Sequence, residues 1–398
     1  MLKLKILKMF FYFYFITPLL FDLSLATRYI LTSKNDQSIL IAQDHNLELL
    51  AKFSDVTFYT TTHDNLMKYK STLSEFYHIE EDMEITLNNQ ELELQLGPKT
   101  NNNLQVDFLN KTDLITAPLP WHLGRITNRN LPLNESFPYD KCHTNKDIDI
   151  HTYVIDTGID IHHPEFEGRA TWLANFADSD DTDCQNHGTH CAGLIGSKTY
   201  GVCKDAKLFA VKVLDCEGRG STSSVISGIN YAFKRHLQQD KKVRSIVSMS
   251  LGGGFSYALN KAVLITTKDE HFYFVAAAGN ENSDACKTSP ASVKEIFTVM
   301  ASDRNDNRAW FSNWGKCADI YSPGVDITST IPNGKIAVYS GTSMACPVLV
   351  GVLNHYINQN PELAMKDLKE KVLNDATKDH IIGDKKQTNN LLVYLRRF

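Results

Sequence analysis

The chain has 398 residues, with 41 Lys and Arg against 46 Asp and Glu, a formal charge of −5, and 42% hydrophobic residues. That balance excludes a disordered chain, a collagen-like fibre and a multi-span membrane protein. The mild acidity argues against nucleic-acid partners, whose binders carry a basic excess or stripe. The length allows two or three domains.

The first residues depart from this composition. Lys3, Lys5 and Lys8 precede an apolar run from Met9 to Leu20, and Ser24 and Ala26 place small residues two apart. Residues 1–26 are expected to be a secretory signal peptide cut after Ala26. An uncleaved anchor is the alternative, but the run is short for a span of ~20 apolar residues. The rest of the chain would be translocated, so its eight cysteines can pair. None lies in a Cys-x-x-Cys pair, which removes the main support for zinc-ribbon and thioredoxin readings. Asn110 and Asn134 are Asn-x-Ser/Thr glycosylation acceptors and fit that route.

Residues 27–96 alternate short β-rich runs with one amphipathic stretch, which predicts a small α+β unit. Strands are expected at 28–31, 56–60, 77–79 and 84–87. A helix is expected over 63–76, with Leu66, Tyr69 and Leu73 on one face. Residues 97–116 read as a linker, and the domain boundary falls between Asn88 and Ala117. From Ala117 onward the pattern changes. Strands are expected at 148–155, 208–214, 246–251, 273–277 and 296–300, and helices after His187, Ser221, Phe255 and Ser343. Near-continuous apolar strands separated by helices indicate an α/β domain with a parallel central sheet and helices on both faces. Functional groups in such sheets gather at the carboxyl ends of the strands.

Three segments carry chemistry. Asp156 ends the first of these strands and is followed by Thr157 and Gly158. His187 opens a helix within NHGTHCAG, and Ser343 opens another within GTSMA. Together they supply the acid, imidazole and hydroxyl of an Asp-His-Ser triad. A carboxylate at a strand end can orient an imidazole, and a serine at a helix N-terminus has unpaired backbone N–H groups beside it. Asn280, after an apolar strand, could donate a second bond to an oxyanion. The edge Ser250, Leu251, Gly252, Gly253 could pair with an extended peptide. Singly, Asp-Thr-Gly is often just a turn, the Asn280 segment a plain loop, and His187 with His190 a metal pair. Their joint occurrence in this order favours the triad.

These stretches, VIDTGID, HHPEFEGRA, NHGTHCAGLIGSKTYGV, LFAVKVLD, SLGGGFS, AAAGN, YSPG and SGTSMACP, resemble the subtilases, Asp-His-Ser serine endopeptidases, and in particular the proteinase K branch. The resemblance runs from about Pro120 through the long helix after Ser343. It implies a subtilisin-like catalytic domain over 117–398. Asp156 would orient the imidazole, His187 act as general acid and base, and Ser343 as nucleophile. Asn280 and the Ser343 N–H would form the oxyanion hole. Ser250, Leu251, Gly252, Gly253, Ala277 and Gly279 would line the primary specificity pocket, which suits apolar or aromatic side chains. By position and pattern, residues 27–96 resemble the family's inhibitory propeptide. The implied protein is a secreted, self-processed, monomeric serine endopeptidase acting on proteins or peptides, with its own propeptide as inhibitor. The alternative is a catalytically silent binding protein that retains its prodomain.

The resemblance further implies disulfides Cys184–Cys216 and Cys286–Cys317, as in aqualysin-like members. Cys191 and Cys346 resemble free thiols, and Cys142 and Cys203 are left open between pairing and free thiols. Cys346 and Val348 replace the Thr and His usual in the branch, which predicts a packing change with activity retained. No cofactor is implied for the chemistry. A structural Ca2+ is, held by the carbonyls of Lys294 and Ile296 and the carboxylate of Asp319, an oxygen-only set. Asp319 as a plain surface acid is the other reading.

Overall fold

The computed structural model describes residues 27–35, 37–87, 119–133, 137–138 and 142–396. The expected signal peptide, the linker, Asn110 and Asn134 lie outside them.

The N-terminal unit is a four-stranded antiparallel sheet with two helices. Its elements are β1 (Arg28–Ser33), α1 (Ser38–Asp44), β2 (Glu48–Lys52), β3 (Thr57–Thr62), α2 (His63–Phe76) and β4 (Tyr77–Glu81), in the sheet order β2-β3-β1-β4. Side chains alternate across a strand, and here both faces are covered. Leu31, Tyr59 and Tyr77 pack with Leu66 and Leu73 of α2. Ile30, Phe53 and Phe58 point the other way and join the core of the large unit. The sequence missed α1 and β2, which are short and weakly patterned. A further strand, β5 (Glu84–Thr86), leaves the sheet and belongs to neither unit's main sheet.

The large unit begins with α3 (Trp121–Thr127) and continues β6 (Asp149–Asp156), β7 (Ala170–Asn175), α4 (His187–Gly196), β8 (Lys207–Lys212), β9 (Arg219–Ser221) and α5 (Thr222–Leu237). Then follow β10 (Val243–Met249), β11 (Gly253–Gly254), α6 (Tyr257–Thr266), β12 (Phe272–Ala277), β13 (Thr288–Ser289) and β14 (Phe297–Ser302). The chain ends with β15 (Ile320–Pro323), the hairpin β16 (Ile327–Ile331) and β17 (Lys335–Tyr339), α7 (Thr342–Gln359), α8 (Met365–Asp375), β18 (Thr377–Lys378) and β19 (Leu391–Leu392). The central sheet has nine strands in the order β18-β19-β15-β14-β12-β10-β6-β8-β7, all parallel except the β18–β19 pair. Its inner strands are buried along their whole length, as apolar runs in a two-sided parallel sheet must be. The central strands β6, β10 and β12 all end at one edge, where Asp156 closes β6 and the chain leaves β10 at Ser250 and β12 at Ala278. The amino ends of α4 and α7 return to the same edge.

The two units meet through β5, which pairs antiparallel with β9 (Glu84 with Ser221, Ile85 with Gly220, Thr86 with Arg219). Leu87 N–H continues the ladder to Gly218 O at 2.8 Å. Two acids of the N-terminal unit also cap helices of the large unit. Glu80 accepts from Ser256 Oγ at 2.5 Å and Ala258 N at 3.0 Å at the start of α6. Asp82 accepts from Ser223 N at 2.9 Å and Ser223 Oγ at 2.6 Å at the start of α5.

Candidate active site

Asp156 and His187 are 31 residues apart in sequence and are brought into contact by a close backbone crossing. Gly158 turns the chain at φ +110°, a region L side chains rarely adopt. A Cβ on Gly188 would stand 2.1 Å from Gly158 O, so only glycine lets α4 start this close to the end of β6. The result is a fully buried pair, with His187 Nδ1 2.7 Å from Asp156 Oδ1. The same carboxylate oxygen accepts the Thr157 N–H at 2.7 Å. Burial disfavours the charged imidazole, but the Asp156 carboxylate and the Cys191 sulfur together outweigh it and hold the His187 pKa well above 6.5.

Ser343 is the second residue of α7, in the first turn, where backbone N–H groups have no intrahelical acceptor. Its hydroxyl donates to Ser250 O at 2.9 Å, and Ser250 Oγ donates to Ser343 O at 2.9 Å. Cys191, one turn along α4, links the two helices. Its sulfur lies 3.9 and 4.0 Å from the His187 ring nitrogens and donates to Ser343 O at 3.4 Å. Asn280 Oδ1 accepts from both Thr342 N and Thr342 Oγ1 at 2.9 Å. Those two bonds fix which end of the amide is which, and leave its N–H2 end for the adjoining cavity.

That cavity, about 440 Å³, is lined by residues 250–254, 277–281, Thr288, Ser289, Ala291, Thr342 and Ser343. All six residues expected in the specificity pocket are on its wall. Glu84 and Thr86 of β5 line it too, so the N-terminal unit enters the same cleft. A Cβ on Gly253 would stand 2.7 Å from Ile85 Cδ1, which shows how closely the glycine edge admits this strand.

His190 takes no part in this cluster. Its Nε2 is directed at the carbonyls of Ile327 and Ala337, at 3.1 and 3.2 Å, and its ring stacks on Tyr339. The two imidazoles of the motif therefore face different neighbours, against the metal-pair alternative.

Sequence reasoning missed Asp183. This buried carboxylate accepts from Thr157 Oγ1 (2.8 Å), Asn186 N (2.9 Å), Thr189 N (2.8 Å) and Thr189 Oγ1 (2.5 Å). Burial pushes its pKa up, against those donors. It ties the residue after Asp156 to the first turn carrying His187. An acid preceding a helix start by a few residues was the available signal. Glu281 and Asn313 were missed as well. Asn313 Nδ2 donates to Glu281 Oε2 at 2.6 Å and to Ala278 O at 2.9 Å, bracing the turn that presents Asn280.

The bridges Cys184–Cys216 and Cys286–Cys317 are present, and Cys142 pairs with Cys203. Cys191 and Cys346 are free and buried. Cys346 and Val348 are enclosed in the body of α7, with Cys346 Sγ 3.6 Å from Val275 O. The implied calcium set needs correction. Lys294 O, Ile296 O and Asp319 do converge, but around the ammonium of Lys369. A bound amine at their centre leaves no place for an ion, so these residues as arranged do not fit calcium.

The model of the subtilase family (Peptidase_S8) matches residues 150–392. The chain is 42% identical over 313 residues to the subtilisin-like serine protease Rho m 2.0101 of Rhodotorula mucilaginosa, covering 73% of this chain and 91% of that one. It is 42% identical over 301 residues to a cuticle-degrading protease of Metarhizium anisopliae, covering 73% and 75%. To cerevisin of Saccharomyces cerevisiae it is 41% identical over 322 residues, covering 73% of this chain and half of that one. The crystal structure of a cold-adapted subtilisin-like serine proteinase superimposes with a TM-score of 0.65 at 39% identity, covering 71% of this chain and all of the other. The chain belongs to the subtilase family and is a serine endopeptidase. Among the described residues, no helix is long and apolar enough to cross a membrane.

Proposed function

We propose that the chain is a secreted zymogen whose large unit cleaves peptide bonds through Asp156, His187 and Ser343. The N-terminal unit is its propeptide, and the released enzyme is a monomer. The observation that carries the reading is the buried 2.7 Å Asp156–His187 contact, beside a helix-start serine on a peptide-sized cleft.

In this scheme the Ser343 hydroxyl leaves Ser250 O and turns to the neutral His187, which takes its proton as Oγ attacks the scissile carbonyl. Asp156 holds Nδ1–H and stabilises the imidazolium that forms. The Ser343 N–H and the Asn280 amide face the oxygen as it becomes negative. The imidazolium then gives its proton to the departing amine, and water reverses the sequence on the acyl-enzyme. Before activation, β5 occupies the cleft as an added strand, in the manner of a bound peptide.

Ser343→Ala tests both halves. It should abolish fluorogenic peptide hydrolysis and leave the precursor uncut. Self-processing by the purified variant would remove Ser343 as the nucleophile. A wild-type chain that processes itself yet stays capped and inactive would favour the silent binding protein.

A further inference from the structure

We infer that Lys369 is an internal cation standing in for calcium, so that the loop before β14 is held in this chain without a metal at that locus. Three strands of geometry support it. Lys369 Nζ donates to Lys294 O at 2.9 Å, to Ile296 O at 2.5 Å and to Asp319 Oδ2 at 2.8 Å, with Asp319 Oδ1 also at 2.8 Å. An ammonium has three N–H donors, and here all three find oxygen. Its charge cancels that of Asp319, and both side chains are about 85% buried, at 14% and 15% exposure. A cation of this kind cannot share the place with calcium, on grounds of volume and of charge.

The ammonium reaches the site because α8 is anchored beside it. Met365, Leu368 and Val372 are buried against the core, which fixes the azimuth at which Lys369 leaves the helix. The Phe297 ring lies 5.8 Å from Nζ and gives the cation an apolar cover. Asp319 is held for the contact by the Thr298 N–H at 2.8 Å. The arrangement bears on the cleft, because Thr298 Oγ1 bonds Ala291 O at 2.9 Å and Ala291 lines the cavity. The lysine thus ties the last helix to the segment that forms one wall of the cleft.

The test uses the full-length secreted protein, stripped with chelator and then returned to calcium chloride. Calcium content is counted by equilibrium dialysis, and Tm is followed with and without the metal. Wild type and Asp319→Asn should bind the same number of calcium ions, since no ion sits on that carboxylate. Loss of one equivalent in Asp319→Asn would overturn the inference. Lys369→Ala removes the amine and frees the oxygens. It should lower Tm in chelator, bind one more equivalent than wild type and regain Tm in calcium. Lys369→Met, whose neutral chain fills the same space, should lose Tm and regain none. If Lys369→Ala folds and neither binds the extra ion nor responds to it, the shared locus is refuted.

Discussion

On the reading proposed above, in which the N-terminal unit is an inhibitory propeptide, removing the two acids that cap helices across the interface should loosen it measurably. Glu80 and Asp82 contact their helices in the same register. Each accepts one serine hydroxyl and the N–H of the second helical residue, Ala258 in α6 and Ser223 in α5. A side-chain cap contributes ~0.5–2 kcal/mol, and an anion at a helix start adds ~0.3–1 kcal/mol from the dipole. Taking ~1.5 kcal/mol for each, Glu80→Ala or Asp82→Ala should weaken inhibition about tenfold, and the double variant about a hundredfold. The contacts share no partner, so their effects should add. The assay is inhibition of processed enzyme by added N-terminal unit, which orders against the enzyme as it binds, read at early times with a fluorogenic peptide. Raised salt should narrow the gap, because the dipole contribution is screened. A double variant that inhibits as well as the wild-type unit would show that β5 and the apolar face carry the binding alone.

Asn280→Ala should lower kcat about 10²–10³-fold with KM nearly unchanged, because its amide faces an oxygen charged only in the transition state; that figure comes from a relative, a subtilisin, rather than from this chain, and a change in KM alone would make Asn280 a substrate-binding residue. Peptide hydrolysis should rise with pH with a midpoint above the ~6.5 of free imidazole, since Asp156 and Cys191 together outweigh burial and raise the His187 pKa. A raised folded pKa stabilises the fold fully below the unfolded value, and that contribution is lost as pH climbs through the folded one. Activity therefore grows where this stabilisation fades, Asp156→Asn should move the limb to lower pH, and a flat profile would remove His187 as the base. Reduction should lower Tm far more than the intrinsic rate, each bridge contributing ~3.5–4.5 kcal/mol by loop entropy; non-reduced peptide mapping should find Cys142–Cys203, Cys184–Cys216 and Cys286–Cys317, and any other pairing refutes the assignment.

The central strands were legible because both faces are buried and leave an unbroken apolar run. Expected 273–277 and 148–155 became Phe272–Ala277 and Asp149–Asp156. The four site helices begin within two residues of His187, Ser221, Phe255 and Ser343. Short elements outside the inner sheet escaped, among them β7, the β16–β17 hairpin and β19, because a strand of two to six residues carries little period. At the site, residue types were readable and mutual orientation was not. Nothing in the sequence says that the Ser343 hydroxyl rests on Ser250 O, or that Cys142 meets Cys203. Lys369 is the clearest case. It reads as one of several lysines on a polar helix, and only the fold brings it to Lys294, Ile296 and Asp319, more than 40 residues away.

On the same proposed reading, the interface gives a reason for release of the N-terminal unit to run one way. After separation, α5 and α6 keep caps of their own. Ser221 Oγ still accepts the Ser224 N–H at 3.1 Å, and Ser256 Oγ the Leu259 N–H at 3.0 Å. The N–H groups that Glu80 and Asp82 had covered pass to water, so neither helix start is left without partners. The N-terminal unit fares differently. Its satellite core of Leu31, Ala42, Tyr59, Leu66, Leu73 and Tyr77 stays closed, but Ile30, Phe53, Val56 and Phe58 lose the core they shared. A unit of about 60 residues is marginal even with a complete core. With one sheet face stripped, it would open and become a substrate of the enzyme it had covered, so that the cleft, once vacated by β5, stays clear.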